Sequence, residues 1–213
     1  LFGKAKGIAC HHLRLPGGTS GNTAANSIAA YLDLPNGLFS SMPNFTIEIW
    51  ATPLSAQNWM RVIDIGRTVE AGDGLGAAGE YTGVPGSPAP GGTSSYDSIT
   101  LSAAIGTNLN SQRFEAKLAG AGVVTADSNL GTTAGEPHHY AITFADTATG
   151  GTVKWFRDGE LIKTLTVGFH SASLNDVNNW LGRSLWSGDA MSHIEYHDIR
   201  IQSARGGRDC LPY

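Results

Sequence analysis

The sequence has little charge, because only 15% of its 213 residues are Asp, Glu, Lys or Arg. An average soluble domain carries about 25% charged residues, so hydroxyl, amide and glycine groups must supply much of this surface. The formal net charge of −4 speaks against nucleic-acid binding, since phosphate contacts need clustered cations. No apolar run approaches the roughly 20 residues of a membrane-spanning helix. The composition therefore predicts neither nucleic acid nor membrane insertion.

Cysteine is also scarce, and the two cysteines, Cys10 and Cys210, lie near opposite ends of the chain. In a secreted protein such a pair predicts a disulfide, here worth about 4–5 kcal/mol by loop-closure entropy. The alternative is two separate reduced thiols. No signal peptide opens the chain, and Leu1 is not a plausible initiator. We expect a secreted or extracellular protein whose signal has been removed or lies outside this chain.

Apolar and polar residues alternate with a period of two through much of the chain. A strand with this pattern buries one face and exposes the other. The clearest examples are 46–50, 98–103, 113–118 and 139–144, with further candidates at 12–16, 30–34, 59–66, 152–158, 161–167, 179–186 and 193–202. Asp158-Gly159 predicts a type I′ hairpin turn. These short strands, with a helical turn only at 173–178, predict an antiparallel sandwich or barrel.

No linker divides the chain. The segment at about 68–97 comes closest, because it is rich in glycine and contains Pro85, Pro88 and Pro90. The strands on both sides of it look like parts of one pattern. We therefore expect a single domain, 1–213, in which this segment is a long loop of the functional or mobile kind.

A series of motifs follows the order of a known family. Residues 30–38, 44–50 and 59–66 resemble the first half of a laminin-G-like domain of the concanavalin A-like lectin/glucanase superfamily, and 138–144, 153–159, 178–184 and 198–201 resemble the second half. The likeness covers roughly 13–202. It implies an all-β fold, an antiparallel two-sheet β-sandwich of the jelly-roll type. It also implies glycan binding or adhesion, sometimes with calcium.

Catalytic motifs are weak. Glycoside hydrolases of this fold resemble each other in an E-x-D-x-x-E strand, which places two carboxylates on one face. The nearest segment is 193–198, where a regular strand would put Glu195 and Asp198 on opposite faces. Polysaccharide lyases of this fold need His, Tyr, Arg and Gln side chains on the concave sheet. The sequence could supply these residue types with Gln112, Arg113, His139 and Tyr140, although the match is to residue type alone. We expect no catalysis.

The sequence offers candidates for two kinds of metal site. His193, Glu195 and His197 alternate and could share zinc on one strand face, although a solvated outer face is the favoured interpretation. Calcium is the better candidate cofactor, mainly by the family analogy, because it takes carboxylate and amide oxygens from loops. Its candidate ligands are Asp73, Asp127, Asn129 and Asp176. No motif gathers these four residues, and each could instead be a solvated turn former.

Sugar binding would use an exposed aromatic ring beside hydrogen-bonding side chains. The predicted ligand-binding residues are Trp186, Tyr81, Tyr96 and Asp189, with packing beneath a loop as the alternative for each ring. The other four tryptophans are predicted to lie in the core: Trp50, Trp59, Trp155 and Trp180. Asn44 begins the one N-x-S/T sequon, which would carry a glycan only in a eukaryotic secretory pathway.

These features predict a non-catalytic secreted module that binds a glycan or mediates adhesion, with calcium as a candidate cofactor. One alternative is a structural or assembly module of a larger extracellular protein, whose partner would be another protein chain. The other is a polysaccharide-degrading enzyme. The sequence names neither the glycan nor the oligomeric state.

Overall fold

The computed structural model of the protein describes residues 6–8, 12–18, 30–68, 75–82, 95–119, 122–186 and 188–203. These residues form thirteen strands and a 3₁₀ turn at Ser171–Ser173. The strands are β1 (Lys6–Ile8), β2 (His12–Pro16), β3 (Leu32–Leu34), β4 (Asn44–Pro53), β5 (Arg61–Thr68), β6 (Ser95–Ser102), β7 (Gln112–Lys117), β8 (Val124–Ser128), β9 (His138–Thr147), β10 (Gly150–Arg157), β11 (Glu160–Val167), β12 (Asn178–Leu181) and β13 (His193–Ser203). No helix among the described residues is long and apolar enough to cross a membrane.

The strands form two antiparallel sheets. The large sheet has the order β1-β2-β13-β4-β9-β10-β11, and the small sheet has the order β3-β12-β5-β6-β7-β8. β5 and β6 pair with each other although residues 69–94 separate them along the chain, so both ends of the predicted 68–97 loop belong to strands. The predicted all-β sandwich of the jelly-roll type is confirmed.

The core lies between the sheets and follows the predicted alternation. In β4, Phe45, Ile47 and Ile49 are buried, whereas the residues between them face outward. Trp155 of β10 is fully buried, as predicted. Each such side chain contributes roughly 1.5–3 kcal/mol through removal of apolar surface from water.

The hairpin between β10 and β11 has the predicted turn. Asp158 and Gly159 have φ of 52° and 82°, the positive values that a type I′ turn requires at both central positions. Glycine has no Cβ penalty in this conformation, and aspartate tolerates it better than most residues.

A β-bulge interrupts β13 and changes which side chains face outward. The register against β4 shifts between Tyr196 and Asp198, so His197 is the extra residue. Ile194 and Tyr196 are buried in the core before the bulge, and Ile199 packs against the same core after it. Glu195 and Asp198 therefore share the outer face of the large sheet. The prediction that they lie on opposite faces is wrong, because it assumed a regular strand.

Loops cover much of the outer face of the small sheet. Tyr31, Tyr81, Trp180, Leu185 and Met191 form a second apolar cluster there. Tyr81 donates its backbone N–H to Asn178 Oδ1 at 2.8 Å, which fixes the segment 75–82 to β12. Trp180 is buried as predicted, but beneath these loops rather than between the sheets. Among the described residues, the large sheet is thus the more open of the two surfaces.

Candidate functional site

An open depression of about 680 Å³ lies on the outer face of the large sheet. Its lining residues are Trp50, Thr52, Pro137, His197, Asp198 and Arg200. Trp50 and Thr52 point outward because Ile49 and Ala51, their neighbours in β4, point into the core. Trp50 is therefore half-buried at the surface, and its predicted place in the core is wrong.

The Trp50 ring lies between two side chains of the neighbouring strands. The ring of His139, its partner in β9, stacks on it with 4.1 Å between centroids and an interplanar angle of 27°. From β13, the Arg200 guanidinium carbon lies 5.0 Å from the Trp50 ring centroid. Arg200 Nη2 also pairs with Asp198 Oδ2 at 2.7 Å. The indole is therefore bordered by both a cation and an anion.

His197 connects the depression to a polar cluster at its side. Its Nε2 lies 2.6 Å from Thr52 Oγ1, and its Nδ1 lies 3.4 Å from His12 Nδ1 in β2. His12 Nδ1 is in turn 3.0 Å from Glu195 Oε1. The bulge at His197 produces this meeting, because it adds a residue opposite β4 without moving Glu195 from the outer face.

His193 is not part of this cluster. Its Nδ1 lies 2.9 Å from Ser55 Oγ, and burial together with the positive charge of Arg14 lowers its pKa. The three residues considered for zinc from the sequence therefore do not all converge. Glu195 and His197 do converge, but His12 takes the third position. Nothing in the spacing of residues within β13 could have indicated His12, since it lies far away in sequence.

The sequence-predicted ligand residues lie away from the depression, around the small sheet. Tyr81 is only 3% exposed and packs in the second apolar cluster, so its ring offers no open face to a sugar and its assignment as a platform is corrected. Trp186 is half-buried, and the side chain of Tyr96 lies outside the described residues. Trp59, predicted to be core, is also half-buried, and the Arg113 guanidinium carbon lies 5.2 Å from its ring centroid.

Asp189 belongs to a buried ionic network. Its Oδ2 accepts hydrogen bonds from Arg61 Nη2 and Ser184 Oγ, each at 2.7 Å. Arg61 Nε also donates to Asp64 Oδ2 at 3.2 Å. Burial raises the pKa of Asp64 to about 6, although Arg61 and Thr100 act in the opposite direction. Burial likewise raises the pKa of Asp189. Arg61 thus joins two carboxylates and ties Asp189 to the small sheet.

The calcium candidates do not converge among the described residues. Asp127 in β8 makes a two-point contact with Arg113, at 2.7 and 2.8 Å, which lowers the pKa of Asp127. Asp176, just before β12, accepts a hydrogen bond from the Phe39 N–H at 2.8 Å. β8 and β12 are four strands apart in the small sheet, which is roughly 19 Å at the usual strand spacing. One ion cannot bind both residues, and the predicted set does not form a single site.

The remaining predicted residues are dispersed. Asn129 is exposed just after β8, and Asn44 is the first residue of β4 with a half-buried side chain. Asp73, Cys10 and Cys210 lie outside the described residues. The lyase residue types are also separated: Gln112 and Tyr140 are buried between the sheets, and His139 and Arg113 lie on the outer faces of different sheets.

Comparison with known proteins assigns the family. Residues 26–204 match the laminin G model of the concanavalin A-like lectin/glucanases superfamily. The chain belongs to this superfamily. The family resemblance of the sequence motifs is therefore confirmed. No curated protein matches this superfamily member.

Solved structures show the same fold in this superfamily member and in distant proteins. The carbohydrate-binding module CBM40 of the Ruminococcus gnavus IT-sialidase, solved with α2,3-sialyllactose, is 17% identical, with a TM-score of 0.53 over 89% of this chain and 91% of that chain. The leech intramolecular trans-sialidase is 16% identical, with a TM-score of 0.58 over 90% of this chain and 25% of that chain. The binding domain of botulinum neurotoxin DC is 11% identical, with a TM-score of 0.54 over 94% of this chain and 41% of that chain. At these identities the likeness shows the fold alone.

Proposed function

We propose that this protein is a non-catalytic glycan-binding module and that the depression centred on Trp50 holds the sugar. The observation that carries the proposal is an indole on the outer face of β4, in the middle of the large sheet, bordered by hydrogen-bonding side chains. An aromatic ring of this kind stacks on the C–H face of a pyranose, and nearby polar groups bind its hydroxyls.

The polar groups around Trp50 are of the types that a sugar needs. Asp198 offers a carboxylate acceptor and Arg200 a guanidinium donor, and Thr52 adds a hydroxyl at the same depression. The Arg200 side chain is 56% exposed, and its charged partner is Asp198. A sugar could therefore displace it from the Trp50 ring at little cost, because an exposed cation–π contact contributes about 0.5–1 kcal/mol and an exposed ion pair about 0–1 kcal/mol. The fold shared with the Ruminococcus gnavus module supports the proposal.

The first test is a glycan array that includes neutral and sialylated glycans, followed by titration calorimetry on the best ligand. We expect Trp50→Ala to weaken binding at least about tenfold, which corresponds to about 1.4 kcal/mol. Trp186→Ala is the matched control, because it removes another half-buried tryptophan that lies away from the depression. We expect it to leave affinity within about twofold. Circular dichroism checks that both variants fold.

Two results would contradict the proposal. Loss of binding in Trp186→Ala, with Trp50→Ala unaffected, would move the site to the small sheet. A blank array, together with polymers in light scattering, would favour the structural or assembly module that the sequence left as an alternative.

A specific observation also favours a second candidate, a polysaccharide hydrolase. The bulge places Glu195 and Asp198 on one outer face near Trp50, which is one of the requirements of two-carboxylate hydrolysis. Both carboxylates are already engaged, Asp198 by Arg200 and Glu195 by His12, which is why we prefer binding alone. Release of reducing sugar from a polysaccharide panel, abolished by Asp198→Asn, would reverse this preference.

We infer further that the protein acts outside the cell, as the resemblance to glycan-binding and adhesion domains implies. Calcium dependence and the pairing of Cys10 with Cys210 are part of the same proposal. Neither is needed for the sugar to stack on Trp50, so their tests are independent of the glycan array.

A further inference from the structure

We propose that His12, Glu195 and His197 bind a transition-metal ion of the Zn²⁺ class on the outer face of the large sheet. These side chains come from β2 and β13, which pair antiparallel so that Arg14 lies opposite Glu195. One ligand atom from each of the three residues lies within 4.8 Å of the others. This inference goes beyond glycan binding and does not depend on it.

The spacing of the donor atoms suits a four-coordinate ion. The distances are 3.0 Å from His12 Nδ1 to Glu195 Oε1, 3.4 Å from His12 Nδ1 to His197 Nδ1 and 3.9 Å from His197 Nδ1 to Glu195 Oε1. In a tetrahedral zinc site with bonds of about 2.0–2.1 Å, two ligand atoms lie about 3.3–3.4 Å apart. Changes of up to about 0.6 Å in these distances would therefore place all three donors on one ion.

The contact between His197 and Thr52 is compatible with the tautomer of His197 that can bind a metal. The Nε2 of His197 lies 2.6 Å from the hydroxyl oxygen of Thr52, which can accept a hydrogen bond from an Nε2–H group. With the proton on Nε2, the lone pair of Nδ1 points at the cluster. Metal-binding histidines usually have such an outer partner on the second ring nitrogen, and it fixes both the tautomer and the ring orientation.

The donor set selects the class of ion. Two imidazole nitrogens and one carboxylate suit Zn²⁺ and its neighbours in the transition series, whereas Ca²⁺ and Mg²⁺ prefer oxygen donors alone. The side chains of His12, Glu195 and His197 are 35%, 17% and 26% exposed, so an ion could enter from solution. Three protein ligands leave a fourth position for water or another ligand. Arg14, exposed beside Glu195, is the nearby positive charge on β2.

The test is titration calorimetry of metal-stripped, tag-free protein with ZnCl₂ and no glycan. We expect one ion per chain with a dissociation constant in the micromolar range or below. His12→Ala and His197→Ala should each weaken binding more than about 100-fold. Thr52→Val removes only the outer hydroxyl, and it should weaken binding about 10–100-fold. Glu195→Gln keeps the side-chain size and should also weaken binding, so a result is available even if a histidine variant folds poorly.

His170→Ala is the matched control, because His170 is an exposed histidine beside one carboxylate, with its Nδ1 3.8 Å from Asp146 Oδ1. We expect it to leave zinc affinity unchanged, and we expect CaCl₂ and MgCl₂ not to compete. Absence of heat in the unsubstituted protein would overturn the inference. So would zinc binding that survives both histidine substitutions, or displacement by calcium. Because no glycan is present, failure here leaves the Trp50 proposal standing, and failure on the glycan array leaves this one standing.

Discussion

Replacement of Arg61 by Met tests whether Asp189 is a structural residue rather than a ligand for sugar. Arg61 is buried between Asp64 and Asp189, and it donates to both carboxylates. Met fills a similar volume but leaves two buried carboxylates without their cation. Removal of one partner from a buried ion pair costs about 3–5 kcal/mol, and we expect this loss in the free energy of unfolding at pH 8.

The cost of Arg61→Met should become smaller as the pH is lowered, because a buried carboxylate can then bind a proton and lose its charge. Burial raises the pKa of Asp64 from 3.8 to about 6, so the folded protein binds this proton more readily than the unfolded chain. The resulting stabilisation is fully present below pH 3.8 and is lost as the pH rises through about 6. An unpaired buried carboxylate can lose its charge by binding a proton, which costs about 1.36 kcal/mol for each pH unit above the unfolded pKa of 3.8. This cost is the largest penalty that one unpaired carboxylate can impose. It is about 5.7 kcal/mol at pH 8 and about 1.6 kcal/mol at pH 5. We therefore expect Arg61→Met to cost about 2 kcal/mol less at pH 5 than at pH 8.

Urea unfolding of both proteins at pH 5 and pH 8 measures this difference. Arg113→Met is the matched control, because Arg113 pairs with the exposed Asp127, whose pKa is lowered. Asp127 stays ionised at both pH values, so the control should cost less than about 1 kcal/mol and show no pH dependence. An equal cost of Arg61→Met at both pH values, or a cost as small as the control's, would refute the reasoning and leave Asp189 available to a ligand.

Gly66→Ala should prevent folding or lower the free energy of unfolding by more than about 3 kcal/mol, because the added Cβ would lie 1.9 Å from Asp97 O. Gly159 also has a positive φ but faces open space. Gly159→Ala should therefore lower the free energy of unfolding by only about 1–2 kcal/mol, as measured by thermal unfolding. Added Ca²⁺ should raise the melting temperature and EDTA should reverse the rise, if calcium binds the folded state; no shift would discard calcium. Mass spectrometry without reduction should find no alkylatable thiol, and modification of both Cys10 and Cys210 would exclude their disulfide.

The strands could be predicted from sequence because period-two alternation is a local property. In β4, the inward positions of Phe45, Ile47 and Ile49 follow directly from the pattern. The same pattern places Trp50 outward, in step with Glu48. The sequence therefore contains the signal that contradicts a core position for Trp50, because lying within a strand does not by itself decide which face a residue occupies.

The rest of the site depends on contacts that no local pattern contains. The bulge at His197 arises where β13 pairs with β4, and His12 reaches the cluster from a strand near the other end of the chain. Loop packing is equally non-local. Tyr81 and Asp189 lie in polar, glycine-containing segments that look exposed in the sequence, yet both fold onto the small sheet.

The glycan-binding role of the outer face of the large sheet is tested most directly by the indole N–H signals of the five tryptophans in ¹H–¹⁵N NMR spectra. Each signal is assigned by a single Trp→Phe variant, and the protein is then titrated with the glycan found on the array. The account predicts that the Trp50 signal moves with saturable dependence on glycan concentration, whereas those of Trp155 and Trp180 stay in place. Movement of the Trp59 or Trp186 signal, with Trp50 unchanged, would contradict it.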